Sequence, residues 1–207
     1  MNRQTVFEKL LSDLSSCLMS SFEKGVESNI HNALQNTLNG LGFQHLLLFQ
    51  YASDSGSINM LHTACANGVA QLPDHLVPSQ SFPWCHDQLQ QGRVVRINSL
   101  QDFPPQATHD CKICRDHDIA SVLAVPLRMS GVLRYTIAAT ASHPQTWSRY
   151  RVGQVRLLGT ILASALERDR AVRGIHPSDP IWRRILENIP AAAWYIDRER
   201  RYRFVPV

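Results

Sequence analysis

The sequence has 207 residues, of which 44% are hydrophobic and 18% are charged. These proportions are typical of a soluble globular protein and exclude disordered and fibrous chains. The length allows one domain of about 150 residues plus a smaller one, or two small domains. No run reaches the roughly 18 apolar residues of a membrane span, and the N-terminus lacks a signal peptide, so we expect a cytoplasmic protein without a membrane span.

The net charge of +4 is concentrated towards the C-terminus. Residues 1–148 hold 9 Lys/Arg against 11 Asp/Glu, whereas residues 149–207 hold 12 against 6. The C-terminal arginines alternate with acidic residues and form no basic block, which favours a solvated helix face over a nucleic-acid site. We therefore predict no nucleic-acid partner.

Two amphipathic helices are predicted at the N-terminal end, because apolar residues recur there at steps of three and four. The second helix ends near Gly40 and Gly42, which tolerate the left-handed conformation of a helix end. The first stripe comprises Phe7, Leu10, Leu11, Leu14, Leu18 and Phe22. The second comprises Ile30, Ala33, Leu34, Thr37, Leu38 and Leu41.

The hydrophobic period then changes to that of β-strands. HLLLFQYA (45–52) and INMLHTACA (58–66) predict a hairpin around SDSGS. A short helix (WCHDQLQQG), a short strand (RVVRI, 93–97) and a helix within THDCKICRDHD follow. IASVLAVPL (119–127) and VLRYTIAAT (132–140) predict an apolar hairpin around Met129–Gly131, and a long helix runs from about Arg149 to Arg173.

This order of elements predicts a mixed α+β fold, with one antiparallel sheet of five or six strands covered by helices. The first and last helices carry matching apolar stripes. We therefore expect the two helices to pack together and to offer their remaining apolar edge to a second copy, which predicts a homodimer.

Several segments resemble the GAF sensor domains of bacterial signalling proteins. They are FPWCHDQLQQGRVVRINSLQDFPPQA, DIASVLAVPLRMSGVLRYTIAA, the TW pair and SALERDR, and the similarity covers about residues 5–170. The resemblance implies a GAF-like sheet with a small-molecule or partner site and no catalytic residues. Arg134-Tyr135 stands where the family commonly has glycine, which implies a narrower cavity near that strand.

A second resemblance begins near Pro180, where IWRRILENIPAAAWYIDRERRYRFV is similar to the opening of a PAS domain. It implies an amphipathic helix, a strand containing Asp197 and a strand at Tyr202–Val205, from a domain that is incomplete here. We accordingly divide the chain into a GAF domain at 1–173 and a linker with a partial PAS domain at 174–207. The GAF–PAS layout implies a downstream output module, either a histidine kinase or a cyclase making cyclic di-guanylate.

The C-x-x-C pair within THDCKICRDHD invites a metal or redox interpretation. On a helix, however, Cys111, Cys114, His109 and His117 spread in a fan that cannot converge on one ion, so no metal site is predicted. Five cysteines at irregular spacings favour reduced thiols over a disulfide framework. Cys114 is interpreted as a small buried hydrophobe.

A thiol-based function remains as the alternative. Cys85 precedes His86, which could accept the proton of the thiol. Free methionine sulfoxide reductases with the GAF fold use cysteines in the regions of Cys85, Cys111 and Cys114, although their sequence contexts are absent here. Bilin-binding relatives attach the chromophore at a cysteine whose place is taken by about His109, which implies no covalent bilin.

The resemblance places a ligand pocket between the sheet and residues 78–121. It implies eight candidate lining residues, whereas the sequence identifies no cofactor and does not name the ligand. The candidates are Phe49, Tyr51, Trp84, Asp102, Phe103, Cys114, His117 and Ser121.

Overall fold

The computed structural model describes residues 26–52, 58–69, 72–73, 78–174, 193–196 and 202–205. The predicted first helix around Phe7–Phe22 and the predicted helix before Pro190 lie outside these residues. Among the described residues, no helix combines the length and the apolarity that crossing a bilayer requires.

The described chain divides into two compact units after Ala165. The elements in chain order are α1 (Val26–Leu41), β1 (His45–Tyr51), β2 (Ile58–Cys65), α2 (Pro78–Ser81), α3 (Pro83–Gln90), β3 (Val95–Ile97), 3₁₀ turns at Leu100–Asp102 and Pro105–Ala107, α4 (Thr108–Asp116), β4 (Ser121–Met129), β5 (Val132–Ala141), α5 (Arg149–Gly174), β6 (Ala193–Ile196) and β7 (Tyr202–Val205).

Strands β1–β5 form one antiparallel sheet in the order β2-β1-β5-β4-β3. This five-stranded sheet with helices around it confirms the predicted α+β fold. The predicted turn between β4 and β5 is a two-residue loop, Ser130-Gly131, in which both residues have positive φ (50° and 82°). Such turns match the right-handed twist of a hairpin, and glycine adopts the second position without a steric penalty.

The two faces of the sheet have different coverings. Because successive side chains of a strand point to opposite faces, Tyr135, Ile137 and Ala139 of β5 lie on one face, and Thr136 and Ala138 on the other. Helix α5 packs on the first face, where Gly159 approaches the side chains of Ile137 and Leu127. We call this the helix face.

The opposite face, here called the cavity face, packs against α3 and the segments that flank it. Its buried cluster joins Leu47, Val95, Ile97, Ala124 and Ala138 of the strands with Cys85 and Leu89 of α3. Trp147, which precedes α5, is also buried, and its indole N–H donates to the Ile97 carbonyl at 3.0 Å.

The start of α5 is joined to the end of α1. The Arg151 guanidinium donates to the Leu41 carbonyl at 3.2 Å and lies 5.5 Å from the centre of the Phe43 ring. A cation here satisfies a carbonyl that the last turn of a helix leaves unpaired. This part of α5 is therefore held against the domain that contains the sheet.

Strands β6 and β7 form a separate antiparallel pair, in which Ala193 is opposite Val205 and Ile196 is opposite Tyr202. Strand β7 coincides with the strand predicted at Tyr202–Val205, whereas Asp197, expected in the preceding strand, lies outside the described residues. An isolated pair of strands is only marginally stable in water.

Candidate functional site

A cavity of about 90 Å³ lies between the cavity face of the sheet and helices α3 and α4. Its volume is several times that needed for one water molecule and below the range of about 300–1,000 Å³ typical of sites for drug-sized ligands. The apolar lining includes Leu47, Phe49, Met60, Leu89, Ile119 and Val122. The lining residues with polar atoms are Cys85, His86, Cys114, Thr136 and Thr140.

The cavity exists because two small residues meet at the centre of the sheet. Ala124 of β4 is the cross-strand partner of Ala138 of β5, which in turn is opposite Leu47 of β1. A methyl side chain at both paired positions leaves space that larger residues at these positions would occupy. Both alanines are buried.

One end of the cavity, near His86 and Thr136, carries buried polar atoms. They are Nδ1 of His86 and the hydroxyls of Thr136 and the adjacent Tyr51, which interact with each other. Tyr51 is 7% exposed and Thr136 is 1% exposed. The rings of Tyr51 and His86 stack with their centres 5.8 Å apart.

Burial shapes the titration of these groups. It raises the pKa of Tyr51, an effect that the neighbouring Thr136 hydroxyl partly offsets. Burial also lowers the pKa of His86, although the adjacent Asp87 carboxylate opposes this shift. Since both shifts favour the uncharged forms, this end of the cavity is polar and neutral near pH 7.

The carboxylate of Asp110 on α4 caps the N-terminus of helix α3. It accepts hydrogen bonds from the backbone N–H groups of Trp84 (3.3 Å) and Cys85 (2.9 Å) and is completely buried. The residue before α3, Phe82, makes no side-chain cap, so these N–H groups depend on a carboxylate 25 residues further along the chain.

The thiols near this carboxylate are poorly ionisable. Burial raises the pKa of Cys85 far above its ordinary value, and the Asp110 carboxylate raises it further. Burial, followed by the charge of Asp110, raises the pKa of Cys114 to about 12. Cys111 lies on the same helix, where its sulfur is 3.6 Å from the Leu100 carbonyl and 3.9 Å from the Arg115 guanidinium. A low-pKa nucleophile at Cys85 or Cys114 does not fit this environment.

Cys85 and Cys114 are therefore expected to resist iodoacetamide at pH 8 in the folded protein. Peptide mass spectrometry measures the modification, with protein unfolded in guanidinium as the control. An unburied thiol ionises near 9.0, whereas Cys114 ionises near 12. The stabilisation that comes from the raised pKa of Cys114 is therefore complete below pH 9 and is lost as the pH rises towards 12. Rapid native alkylation of either thiol would support the thiol-based alternative.

The structure brings some of the eight predicted pocket residues together and separates the others. Phe49 and Cys114 line the cavity, and Cys114 is buried as its interpretation requires. Tyr51 lies beside the polar end. Trp84 and Phe103 contact each other edge to face, with ring centres 6.4 Å apart, and pack against the buried cluster of the cavity face.

The remaining three predicted residues lie away from the cavity. The Asp102 carboxylate is exposed and accepts from the backbone N–H groups of Asn98 and Ser99, both at 3.1 Å. His117 borders a separate surface opening with Asp116 and Asp118. The completely buried Ser121 hydroxyl donates to the His143 carbonyl at 3.1 Å, on the face opposite Val122.

Sequence reasoning missed Thr136, Ala124, Ala138 and Asp110, and considered His86 only as a base for Cys85. The small residues of TIAAT (136–140) were an available signal for space in the sheet. The described lining of the cavity includes neither Arg134 nor Tyr135, and Tyr135 is buried on the helix face. Among residues whose side chains are described, no group of three or more His, Cys, Asp or Glu could hold a metal.

Several solved structures share the fold. The phycocyanobilin-bound GAF domain of a cyanobacterial phytochrome is 16% identical, with a TM-score of 0.64 over 85% of this chain and 99% of that one. The GAF domain of an Acinetobacter phosphoenolpyruvate-protein phosphotransferase is 10% identical (TM-score 0.62; 84% and 99%). Free methionine-R-sulfoxide reductase from Neisseria meningitidis, solved with its substrate, is 14% identical (TM-score 0.61; 83% and 95%).

At these identities, the likeness concerns the fold alone. No curated protein matches this chain in sequence. Residues 25–167, however, match the sequence family described as GAF domain, and this range contains the whole five-stranded sheet and every cavity residue named above. The chain therefore belongs to the GAF domain family.

Proposed function

We propose that this protein is the sensory part of a cytoplasmic bacterial signalling protein and that its cavity binds a small molecule. The observation that supports this proposal is the largely apolar space between the sheet and helices α3 and α4, with His86 and Thr136 among its lining residues. A cavity of this kind lacks the dispersion contacts that a ligand would supply.

The relay we propose runs through strand β5. Thr136 and Ala138 line the cavity, while Ile137 between them points to the helix face and meets Gly159 of α5. A displacement of β5 by a ligand therefore acts directly on α5. The ligand shifts the arrangement of α5 only as far as it binds one arrangement more tightly, typically with about 1–3 kcal/mol of coupling.

The output we propose is a change in the pairing of α5 between two copies. Tyr150 and Leu157, seven residues apart on α5, are large side chains that are 53% and 45% exposed. Two helical turns separate them, so they lie on the same side of the helix. The likeness of the C-terminal strands to a PAS domain supports a downstream PAS module and a kinase or cyclase output.

A non-catalytic role agrees with the suppressed ionisation of Cys85 and Cys114. A methionine sulfoxide reductase shares the fold, and this likeness is the reason for considering a thiol-based function. A reductase requires a reactive thiolate, and the buried Asp110 carboxylate disfavours thiolates beside it. The environment of these two thiols therefore favours the sensory function over a reductase that uses Cys85 or Cys114.

Native mass spectrometry of protein purified without denaturation tests the proposal. We expect a dimer that retains a small molecule in the wild-type protein and none in Ala138→Leu, because the larger side chain fills the cavity. Filling a cavity changes stability little, by about 1 kcal/mol, so the variant stays folded. Gln106→Leu, at an exposed position outside both the cavity and α5, is the matched control and should retain the molecule.

Two results would contradict the proposal. If Ala138→Leu retained the same molecule as the wild-type protein, that molecule would bind elsewhere. If the wild-type protein were a monomer both with and without the retained molecule, the dimer relay would be wrong.

A further inference from the structure

The hydroxyl groups that line the cavity are paired with other side chains of the protein. The Thr140 hydroxyl lies 3.0 Å from Nδ1 of His45, within hydrogen-bonding distance. The Thr136 hydroxyl is hydrogen-bonded to the hydroxyl of the adjacent Tyr51. Neither threonine therefore needs a ligand to complete its hydrogen bonding.

Other polar atoms near the cavity are also withdrawn from it. The Cys85 thiol is hydrogen-bonded to the Asp110 carboxylate, which also accepts from the backbone N–H group of Cys85 at 2.9 Å. Nδ1 of His86 and the hydroxyl oxygen of Thr136 have almost no accessible surface, so a molecule in the cavity does not reach them. The accessible wall of the cavity is consequently almost entirely apolar.

The lining of the cavity also lacks charge. None of the lining residues that the structure describes is Lys, Arg, Asp or Glu. Burial lowers the pKa of His86, which keeps its imidazole neutral near pH 7. An ionised ligand would lose its hydration here without gaining an ion pair, and a polar ligand would lose it without gaining a hydrogen bond. The cavity therefore discriminates against both.

The size of the cavity sets the second limit on the ligand. Apolar cavities of about 150 Å³ in other proteins stay dry and bind benzene or xenon. The cavity of this protein has a volume of about 90 Å³. It therefore accommodates a molecule of about the size of one benzene ring at most.

Building on the proposed function, we infer that the cavity selects small apolar molecules, no larger than a single hydrocarbon ring, and rejects molecules that carry a charge or a hydrogen-bonding group. The attraction comes from burial of apolar surface and from dispersion contacts. Leu47 and Phe49 of β1, Leu89 of α3 and the alanine pair Ala124 and Ala138 supply these contacts.

Benzene, phenol, benzoate and naphthalene are suitable probes, because each of the last three adds one feature to benzene: a hydroxyl, a carboxylate or a second ring. We expect benzene to bind the full chain at least about fivefold more tightly than phenol, since the phenol hydroxyl would be buried without a partner. Benzoate and naphthalene should not bind. Isothermal titration calorimetry measures the four affinities.

Ala138→Leu locates the binding of benzene, because the larger side chain fills the cavity. Benzene binding should be lost in this variant and preserved in the control Gln106→Leu, whose position is exposed and outside the cavity. Thermal unfolding shows whether the variants are folded. Ala124→Val, which adds less volume at the paired position, should weaken benzene binding and provides the same test with less overpacking.

Thr136→Val tests whether the hydroxyls are paired within the protein. The variant should be less stable than the wild-type protein, because the buried Tyr51 hydroxyl loses its partner. The preference for benzene over phenol should be unchanged. A selective loss of phenol binding in Thr136→Val would show that the hydroxyl contacts the ligand, and the inference would be wrong.

The outcomes separate this inference from the function it rests on. If phenol or benzoate bound as tightly as benzene, and Ala138→Leu abolished that binding, apolar selection would be overturned and the cavity would remain a ligand site. Tight binding of naphthalene would overturn the size limit. If none of the four probes bound the wild-type protein, the inference would be wrong, whereas a polar molecule retained in native mass spectrometry and lost in Ala138→Leu would still support the proposed ligand site.

Discussion

Asp110→Ala is expected to destabilise the protein by about 3 kcal/mol, measured by chemical denaturation. The substitution removes the acceptor of two backbone N–H groups at the start of α3 in a completely buried position. Each unsatisfied buried donor costs about 1–3 kcal/mol, because no water can replace the lost partner.

Asp102→Ala is the matched control for Asp110→Ala. The Asp102 carboxylate also accepts from two backbone N–H groups, but it is exposed, so water can replace it. A loss of about 1 kcal/mol or less is expected. Equal losses for the two substitutions would show that the buried cap of α3 has no special importance.

Asp110→Asn separates the charge of the carboxylate from its hydrogen bonding. The amide retains one acceptor oxygen but removes the negative charge that contributes to the raised pKa of Cys85 and Cys114. We expect the pKa of Cys114 to fall below its value of about 12 and to stay above 9, because burial is the larger cause. Alkylation rates as a function of pH measure this change.

Gly159→Leu is expected to destabilise the protein by about 3 kcal/mol, the upper part of the range for overpacking. A Cβ atom at this position would lie 2.7 Å from the side-chain methyl groups of Ile137 and Leu127, and 3.1 Å from Cβ of Ile137. Cβ of Ile137 is attached directly to strand β5 and cannot rotate away. Helix α5 must therefore move from the sheet or the fold must loosen.

Gly153→Leu supplies the control on the same helix. An added Cβ at Gly153 meets no atom within 4 Å, and leucine favours helix by up to about 1 kcal/mol over glycine. This variant should be as stable as the wild-type protein or slightly more so. A similar loss at both positions would show that contact with β5 does not explain the effect of Gly159→Leu.

The pattern of apolar residues was sufficient to predict most of the fold. Short apolar runs at 45–52, 58–66, 119–127 and 132–140, bounded by turn residues, identified the four longer strands, and β1, β4 and β5 are buried on both faces as central strands are. The end of α1 near Gly42 and the turn at Gly131 followed from residues that tolerate positive φ. The apolar pattern and the turn residues depend only on amino acids close together in the chain, so they are visible in the sequence.

The cavity could be predicted only in part. Phe49 and Cys114 line the cavity as predicted, because their strand and helix place them there. Asp102 instead binds neighbouring backbone N–H groups, His117 borders another surface opening, and Ser121 lies on the other face of the sheet. Asp102 illustrates the difficulty, since its position before Phe-Pro-Pro indicated a turn and the structure uses it as a cap. Which role a polar residue adopts depends on the groups that folding places around it.

The sequence by itself determined the order of helices and strands and the faces they bury, since these depend on neighbours along the chain. Only the tertiary structure decided that Asp110 caps α3 from another helix and that Ala124 meets Ala138. It also decided that Tyr51, His86 and Thr136 meet at one end of the cavity. The physical reason is that cavities and hydrogen-bond pairs form between segments that are far apart in the chain. A local sequence pattern does not show which of these segments come into contact.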